Sequence, residues 1–303
     1  MKRRDVSLID IRNRVQSISR LTTLPQIATR VLELVENPRT SASRLGEVIA
    51  ADQVLTARIL KLANSAFYGF PRRISTLNLA IVVLGFNALR DLVLSISVID
   101  QFNRNVKVDI NLEKFWRHAV VVAMGSRMLS RMVRYSVAGE VFVGGLLHDI
   151  GYLVLVQYFP NLFDKVLHYA REKQVPFLQA EYSVLGFSHA EVGGWLAEGW
   201  NLPEKLVQAI RFHHQPPETL KYREFVWAIH LADLISHSID EGGGLNQLPE
   251  FQEIDIEKRL KGLFRQPQPL EFYQEAFRRE NEKVDDFLAT LLNRKVKEES
   301  PVT

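Results

Sequence analysis

In the stretch Gly144-Gly145-Leu146-Leu147-His148-Asp149-Ile150-Gly151-Tyr152, a histidine and an aspartate stand side by side in an otherwise apolar run. Burying a carboxylate is costly unless a metal or a full set of hydrogen bonds satisfies it. The plain resolution is a His–Asp hydrogen bond that pins two helices together. The other resolution needs more ligands, and the chain supplies candidates in His118, His189, His213, His214 and Asp233. Five imidazoles and two carboxylates suit one or two ions of Fe, Mn, Zn or Ni, since imidazole accepts all of these. Asp149 could bridge two ions, and Asp233 could complete one of them.

Composition narrows the chemistry further. The 303 residues are 47% hydrophobic, enough for one large domain or two modest ones. Cysteine does not occur, which excludes disulfides, thiolate metal sites and a cysteine nucleophile, and fits a reducing cytoplasm. A net charge of +3 is too small to argue for nucleic acid as a partner. The basic start Met1-Lys2-Arg3-Arg4-Asp5 leads into no uninterrupted apolar run, so no signal peptide is expected. The longest uncharged run, Ile74 to Leu89, contains Ser75, Thr76, Asn78 and Asn87; it falls short of a membrane span and reads as a buried helix pair. No membrane partner is expected.

Candidate ligands on separate segments must be brought together by helices, because apolar residues recur at three-to-four spacing almost everywhere. An amphipathic lead-in helix is expected over about 6–20, and Pro25 opens the next. Asp52 is placed to cap a helix through Leu55, Ile59 and Leu62. Two apolar helices, about 77–84 and 87–102, meet at Gly85. A helix through Phe115, His118 and Val122 runs to about Met132, and one from about Gly139 to Gln157 carries His148 and Asp149. Ser188-His189-Ala190-Glu191 has the form of a capping box, putting His189 in a first helical turn. Pro203 opens a helix whose last turn carries His213 and His214 before Pro216-Pro217. His230, Asp233 and His237 lie on a helix from about Arg223 to Ile239. Glu241-Gly242-Gly243-Gly244 reads as a flexible break, and 251–263 and 269–296 read as two charged amphipathic helices.

The order His118, His148-Asp149, Asp233 resembles the signature of the HD superfamily of metal-dependent phosphohydrolases. From about 18 to 215 the chain resembles an HDOD domain. The resemblance rests on Leu24-Pro25, Ile49 to Leu55 with Asp52, Leu60-Lys61-Leu62-Ala63-Asn64-Ser65, Ala80-Ile81-Val82-Val83-Leu84-Gly85 and Gly145 to Gly151. Gln53 stands where a proline is usual. It implies an all-α fold, a multi-helix HD-like bundle preceded by an N-terminal helical subdomain. The expected segments are a lead-in helix (1–17), the N-terminal helical half (18–109), the HD-like half with the metal candidates (110–240) and a C-terminal helical extension and tail (241–303).

The added histidines are similar to those of HD-GYP phosphodiesterases. By that resemblance His118, His148, Asp149 and Asp233 would hold one divalent transition metal. Asp149, His189, His213 and His214 would hold a second, with Fe or Mn ahead of Ni or Zn. Three departures stand out. Tyr152 replaces the lysine that normally contacts phosphate, Lys114 stands where a three-metal variant has glutamate, and Gln215-Pro216-Pro217-Glu218 follows the histidine pair with no Gly-Tyr-Pro loop. The expectation is therefore a bacterial signal-transduction module with a metal-binding HD-like site, binding a signalling protein or a nucleotide. The alternative is a metal-dependent phosphohydrolase acting on a nucleotide or cyclic dinucleotide. Asp149 would then serve the activation of a bridging water, and Lys114, Arg117 or Arg211 would cover the missing lysine. His168, His230 and His237 read as surface or packing residues. Arg127, Arg131 and Arg134 read as a solvated face, and no oligomeric state is implied.

Overall fold

The computed structural model describes residues 8–17, 24–103, 110–135, 138–216, 221–239 and 255–293. They form helices and no strand. In chain order these are α1 (Leu8–Ser17), α2 (Gln26–Glu36), α3 (Ala42–Ala50), α4 (Gln53–Ala63), α5 (Leu77–Leu84) and α6 (Phe86–Asn103). Then follow α7 (Leu112–Met132), α8 (Ala138–Leu147), α9 (Ile150–Tyr158), α10 (Pro160–Lys173), α11 (Phe177–Leu185) and α12 (His189–Gly199). The last are α13 (Glu204–Phe212), α14 (Arg223–Ser238), α15 (Ile256–Leu260), α16 (Leu270–Asn281) and α17 (Val284–Leu291).

Two compact units are drawn from these helices, each from discontinuous segments: residues 1–24 with 105–277, and residues 25–104 with 278–303. Residues 241–303, expected as one extension, fall on both sides of this division, and α1 groups with residues 105–277.

The unit of residues 25–104 and 278–303 is punctuated by side-chain caps. Asp52 accepts from the Leu55 N–H at 2.9 Å, Ser41 from Arg44 and Thr76 from Leu79. Gly85, at φ 83°, turns the chain by 116° between α5 and α6, a conformation that glycine adopts without penalty. Asn64 ties the end of α4 to the next segment. Its amide donates to the Leu60 and Ile74 carbonyls and its oxygen accepts from the Ile74 N–H. Phe67 packs on Phe287 of α17 with ring centroids 5.0 Å apart.

In the unit of residues 1–24 and 105–277, α7 is the central helix, with α8 and α14 packed along it. Phe115, Trp116 and Leu129 of α7 are buried, as are Leu146, Leu153 and Phe225 around it. The span Glu140–Tyr158 has the length and apolarity of a membrane crossing, but 83% of it is buried within the protein. It is a core element. α1 lies on α12, with Ile11 and Val15 inside and Arg12 bonded to Glu198 at 3.2 Å.

Two expected elements differ. The single helix over 139–157 is broken at His148–Asp149, where Asp149 sits at φ −95°, ψ 10° and its carbonyl accepts from the Tyr152 N–H at 2.9 Å. His148 turns its Nδ1–H back to the Gly145 carbonyl at 2.7 Å, closing the end of α8 with a side chain. The two helices expected in 251–263 and 269–296 are three, the first only five residues long. The break at Glu241–Gly244, residues 251–254, and Pro217 and Glu218 lie outside the described residues.

Candidate metal centre

The seven candidate ligands are delivered by five separate helices or helix ends. His118 is a third of the way along α7 and 2% exposed; His148 and Asp149 form the break between α8 and α9. His189 opens α12 behind the Ser188/Glu191 capping box, as its spacing predicts. His213 and His214 follow the end of α13, and Asp233 is buried on α14. α9 and α12 cross closely, and glycine makes the crossing possible. A Cβ on Gly151 would strike the His189 carbonyl, and one on Gly193 would lie 2.7 Å from Ile210. Only with a bare backbone at 151 can His189 come down to Asp149.

All seven residues meet. The Oδ1 atom of Asp149 lies 3.3 Å from Nε2 of both His189 and His213, and its Oδ2 lies 3.2 Å from His148 and 3.8 Å from His118. Asp149 is the N-cap of α9, yet its side chain makes no capping bond; it is given over to the imidazoles. Asp233 Oδ1 is 3.3 Å from His118 and 3.7 Å from His148. The ligand atoms fall into two groups, Asp149/His189/His213/His214 and His118/His148/Asp233, each within 4.8 Å of one another.

The imidazoles are oriented from behind, as metal ligands require. Nδ1 of His148 and Nδ1 of His213 each bond a main-chain carbonyl, Gly145 at 2.7 Å and Ile210 at 2.8 Å. A carbonyl cannot donate, so Nδ1 carries the proton and Nε2 is turned inward. Both Nε2 atoms are buried without a hydrogen bond. His189 is held by Glu181, which is fully buried on α11. The carboxylate accepts from the His189 N–H at 3.0 Å and bonds its Nδ1 at 2.7 Å. Tyr152 stacks flat over the His189 ring, centroids 3.8 Å apart and 15° between planes.

The electrostatics suit a cation. Burial raises the Asp149 pKa, but His148, His189 and His213 outweigh it and hold the carboxyl well below its usual range. His118 and His237 do the same for Asp233 against its own burial. Burial, with the neighbouring imidazoles, lowers His213 and His214, leaving them neutral as ligands must be. Burial also opposes charge on His189, yet Glu181 and Asp149 carry its pKa up to about 10. Without a metal, imidazolium at His189 balances the carboxylates. The donor set therefore fits one or two divalent transition ions.

The cluster lies beside an open cavity of about 650 Å³. Asp149, His214 and Asp233 reach its floor, and Tyr152, Phe177 and Tyr182 form aromatic wall. The three cations expected to grip phosphate lie elsewhere. Lys114 is exposed, Arg117 is half-buried, and Arg211 pairs with Glu198 at 2.8 Å; none of them lines the cavity.

Sequence reasoning passed over four residues. Glu181 holds His189. His237, read as packing, stands with Nε2 3.4 Å from Asp233 and lines the cavity. Its i, i+4 spacing from Asp233 was a usable signal. His230 and Arg259 also line the cavity. His168 is on the surface, beside Glu172.

Comparison with known proteins places this geometry in context. A family model described as the HDOD domain matches residues 21–216. An uncharacterised protein of Treponema pallidum is 26% identical over 252 residues, covering 80% of this chain; the chain spans 48% of that relative's length. An HDOD domain protein of unknown function from Geobacter sulfurreducens superposes with a TM-score of 0.75 at 24% identity, over 93% of this chain and 96% of its own. A Shewanella amazonensis protein provisionally described as a phosphohydrolase does so with a TM-score of 0.73 at 24% identity, over 93% and 97%. These superpositions establish a common all-helical fold.

Proposed function

Because the chain belongs to the HDOD domain family, we propose that it is a signal-transduction module whose HD-like site holds one or two transition-metal ions, Fe or Mn, and binds a nucleotide. One observation carries this reading: seven His and Asp side chains converge beside an open cavity of about 650 Å³. That volume is in the range of small-molecule sites, and the mix of aromatic wall and a few polar groups is what such sites present. His118, His148, Asp149 and Asp233 would hold one ion; Asp149, His189, His213 and His214 would hold the other. Bound there, a metal pair supplies Lewis-acid polarisation of a phosphoryl oxygen and a water of lowered pKa. The chain's own contribution is to fix ligand direction, through Gly145, Ile210 and Glu181, and to plate one face of His189 with Tyr152. That aromatic ring occupies the sequence position at which the HD pattern has its phosphate-contacting lysine, which favours recognition over turnover.

A second reading, metal-dependent phosphohydrolysis, is supported by Asp149, whose two oxygens face the two ligand groups separately. Its substrate would be a nucleotide or cyclic dinucleotide. One set of measurements separates the readings. Protein purified without chelator or nickel resin is assayed for metal by mass spectrometry, then loaded with Mn or Fe and titrated with nucleotides. It is also assayed for cleavage of bis-p-nitrophenyl phosphate. Metal with nucleotide binding and no cleavage is the expected result. Cleavage lost in Asp149→Ala establishes the hydrolase. A protein that takes up no transition metal sinks both.

A further inference from the structure

We infer that Arg259 and His230 form the recognition wall of the cavity, Arg259 gripping the phosphate of a nucleoside phosphate and His230 Nε2 accepting a hydrogen bond from its ribose hydroxyl or base amino group. The inference rests on the reading of this cavity as a nucleotide site, and adds a grip that the family pattern does not contain. Arg259 stands on α15, outside the matched residues 21–216.

The placement of Arg259 is built. α15 is short, but Asp255 caps it by accepting from the Lys258 N–H at 2.9 Å, and Leu260 is fully buried. Trp227 of α14 packs directly on Gly262, so the turn after α15 is seated on α14. The helix therefore holds Arg259 against the cavity, which it lines. Arg259 is the one lysine or arginine among the described residues that line the cavity, whereas three other cations of this unit are paired away from it, Arg211 with Glu198, Lys205 with Glu140 and Lys221 with Glu204. Among the described residues, the Arg259 guanidinium has no carboxylate partner. A planar fork of donors left facing a cavity matches the oxygens of a phosphate.

His230 supplies the second, independent observation. It is 3% exposed, lines the cavity and meets the edge of Trp227. Its Nδ1 donates to the His213 carbonyl at 2.7 Å, so the remaining lone pair is on Nε2. Nε2 is buried with no hydrogen bond. An acceptor left bare inside a protein calls for a donor. Inorganic phosphate offers an anion to Arg259 but no flat ring for Phe177 and Tyr182. A nucleoside offers ring and donor but no anion. A nucleoside phosphate offers all three.

The test is calorimetric titration of the metal-loaded full chain with AMP, GMP, adenosine and inorganic phosphate. Wild type should bind the two nucleotides more tightly than either fragment. In R259Q, affinity for AMP and GMP should fall roughly tenfold or more, with adenosine affinity, metal content and melting temperature unchanged. R259K, which keeps the charge without the fork, should fall between. In H230F, nucleotide affinity should fall roughly threefold while phosphate affinity holds. Nucleotide binding in R259Q as tight as in wild type would overturn the inference and leave the nucleotide reading standing. Metal-loaded wild type that binds none of the four probes overturns both.

Discussion

In the unit formed by residues 25–104 and 278–303, the buried arginines are answered individually. Arg58 bonds Asp100 at 2.7 Å and the Leu291 carbonyl, and Arg90 straddles one oxygen of Asp91 through Nε and Nη2 at 2.9 and 2.8 Å. In the unit of residues 1–24 and 105–277, two carboxylates lie 3.2–3.8 Å from five imidazoles. There, buried Nε2 atoms of His148 and His213 carry no hydrogen bond. The contrast separates two uses of buried polarity. Charge paired one to one is balanced within the pair and locks a shape, even though Arg58 Nε is itself buried without a hydrogen bond. Imidazoles ringed around shared carboxylates are balanced by a protonated His189 and, with their ligand atoms gathered, are a group that could hold a metal ion.

Four variants test that contrast. The harshest is Asp149→Ala, which removes the residue facing both ligand groups. Bound transition metal, measured by mass spectrometry, should fall to none, and the melting-temperature gain on adding Mn should vanish. Next is Glu181→Gln, which leaves all seven ligands in place but loosens the hold on His189. Metal affinity by chelator competition should fall about 10- to 100-fold. A variant that binds as well as wild type would make Glu181 a packing residue. Arg58→Met probes the other unit. Breaking a buried pair is costly, and with Asp100 partly exposed the loss should be about 2–3 kcal/mol in urea unfolding. Metal content should not move.

The smallest effect is a pH dependence. Burial lowers the His230 pKa from its usual 6.5 to about 4. As pH falls, the unfolded chain takes up this proton first. The stabilisation is therefore complete above pH 6.5 and lost as pH drops toward 4. Between pH 7 and 5 the loss should be about 1–2 kcal/mol, and His230→Gln should flatten the unfolding profile by that amount. An unchanged profile in the variant would assign the acid sensitivity to other groups.

The helical architecture was legible because its signals are local. Asp52, Thr76 and the Ser188/Glu191 box cap where they stand in sequence, and apolar spacing marks the buried faces. His118, His148, Asp149 and Asp233 stood out as ionisable residues among apolar neighbours. The break at His148–Asp149 was hidden because residues 146–150 hold no Gly or Pro; a side-chain bond to Gly145 ends α8 instead. Glu181 was hidden because it stands on a short nine-residue helix, and its partner His189 lies on the next one, so nothing local marks the pair. Arg259 lies on a helix too short to show any period. Its meaning comes from the cavity it faces, which no window of sequence contains.

The division of the chain also orders events during synthesis. A ribosome releases residues 25–104 early, but the unit they belong to needs α17. Phe287 packs on Phe67, and Leu291 supplies the carbonyl that Arg58 holds. Residues 105–277, by contrast, emerge as one continuous run that carries all seven candidate ligands and the cavity wall. Units tend to fold as their last residues appear. All seven candidate ligands are thus on the nascent chain while the other unit is still waiting for its final helix.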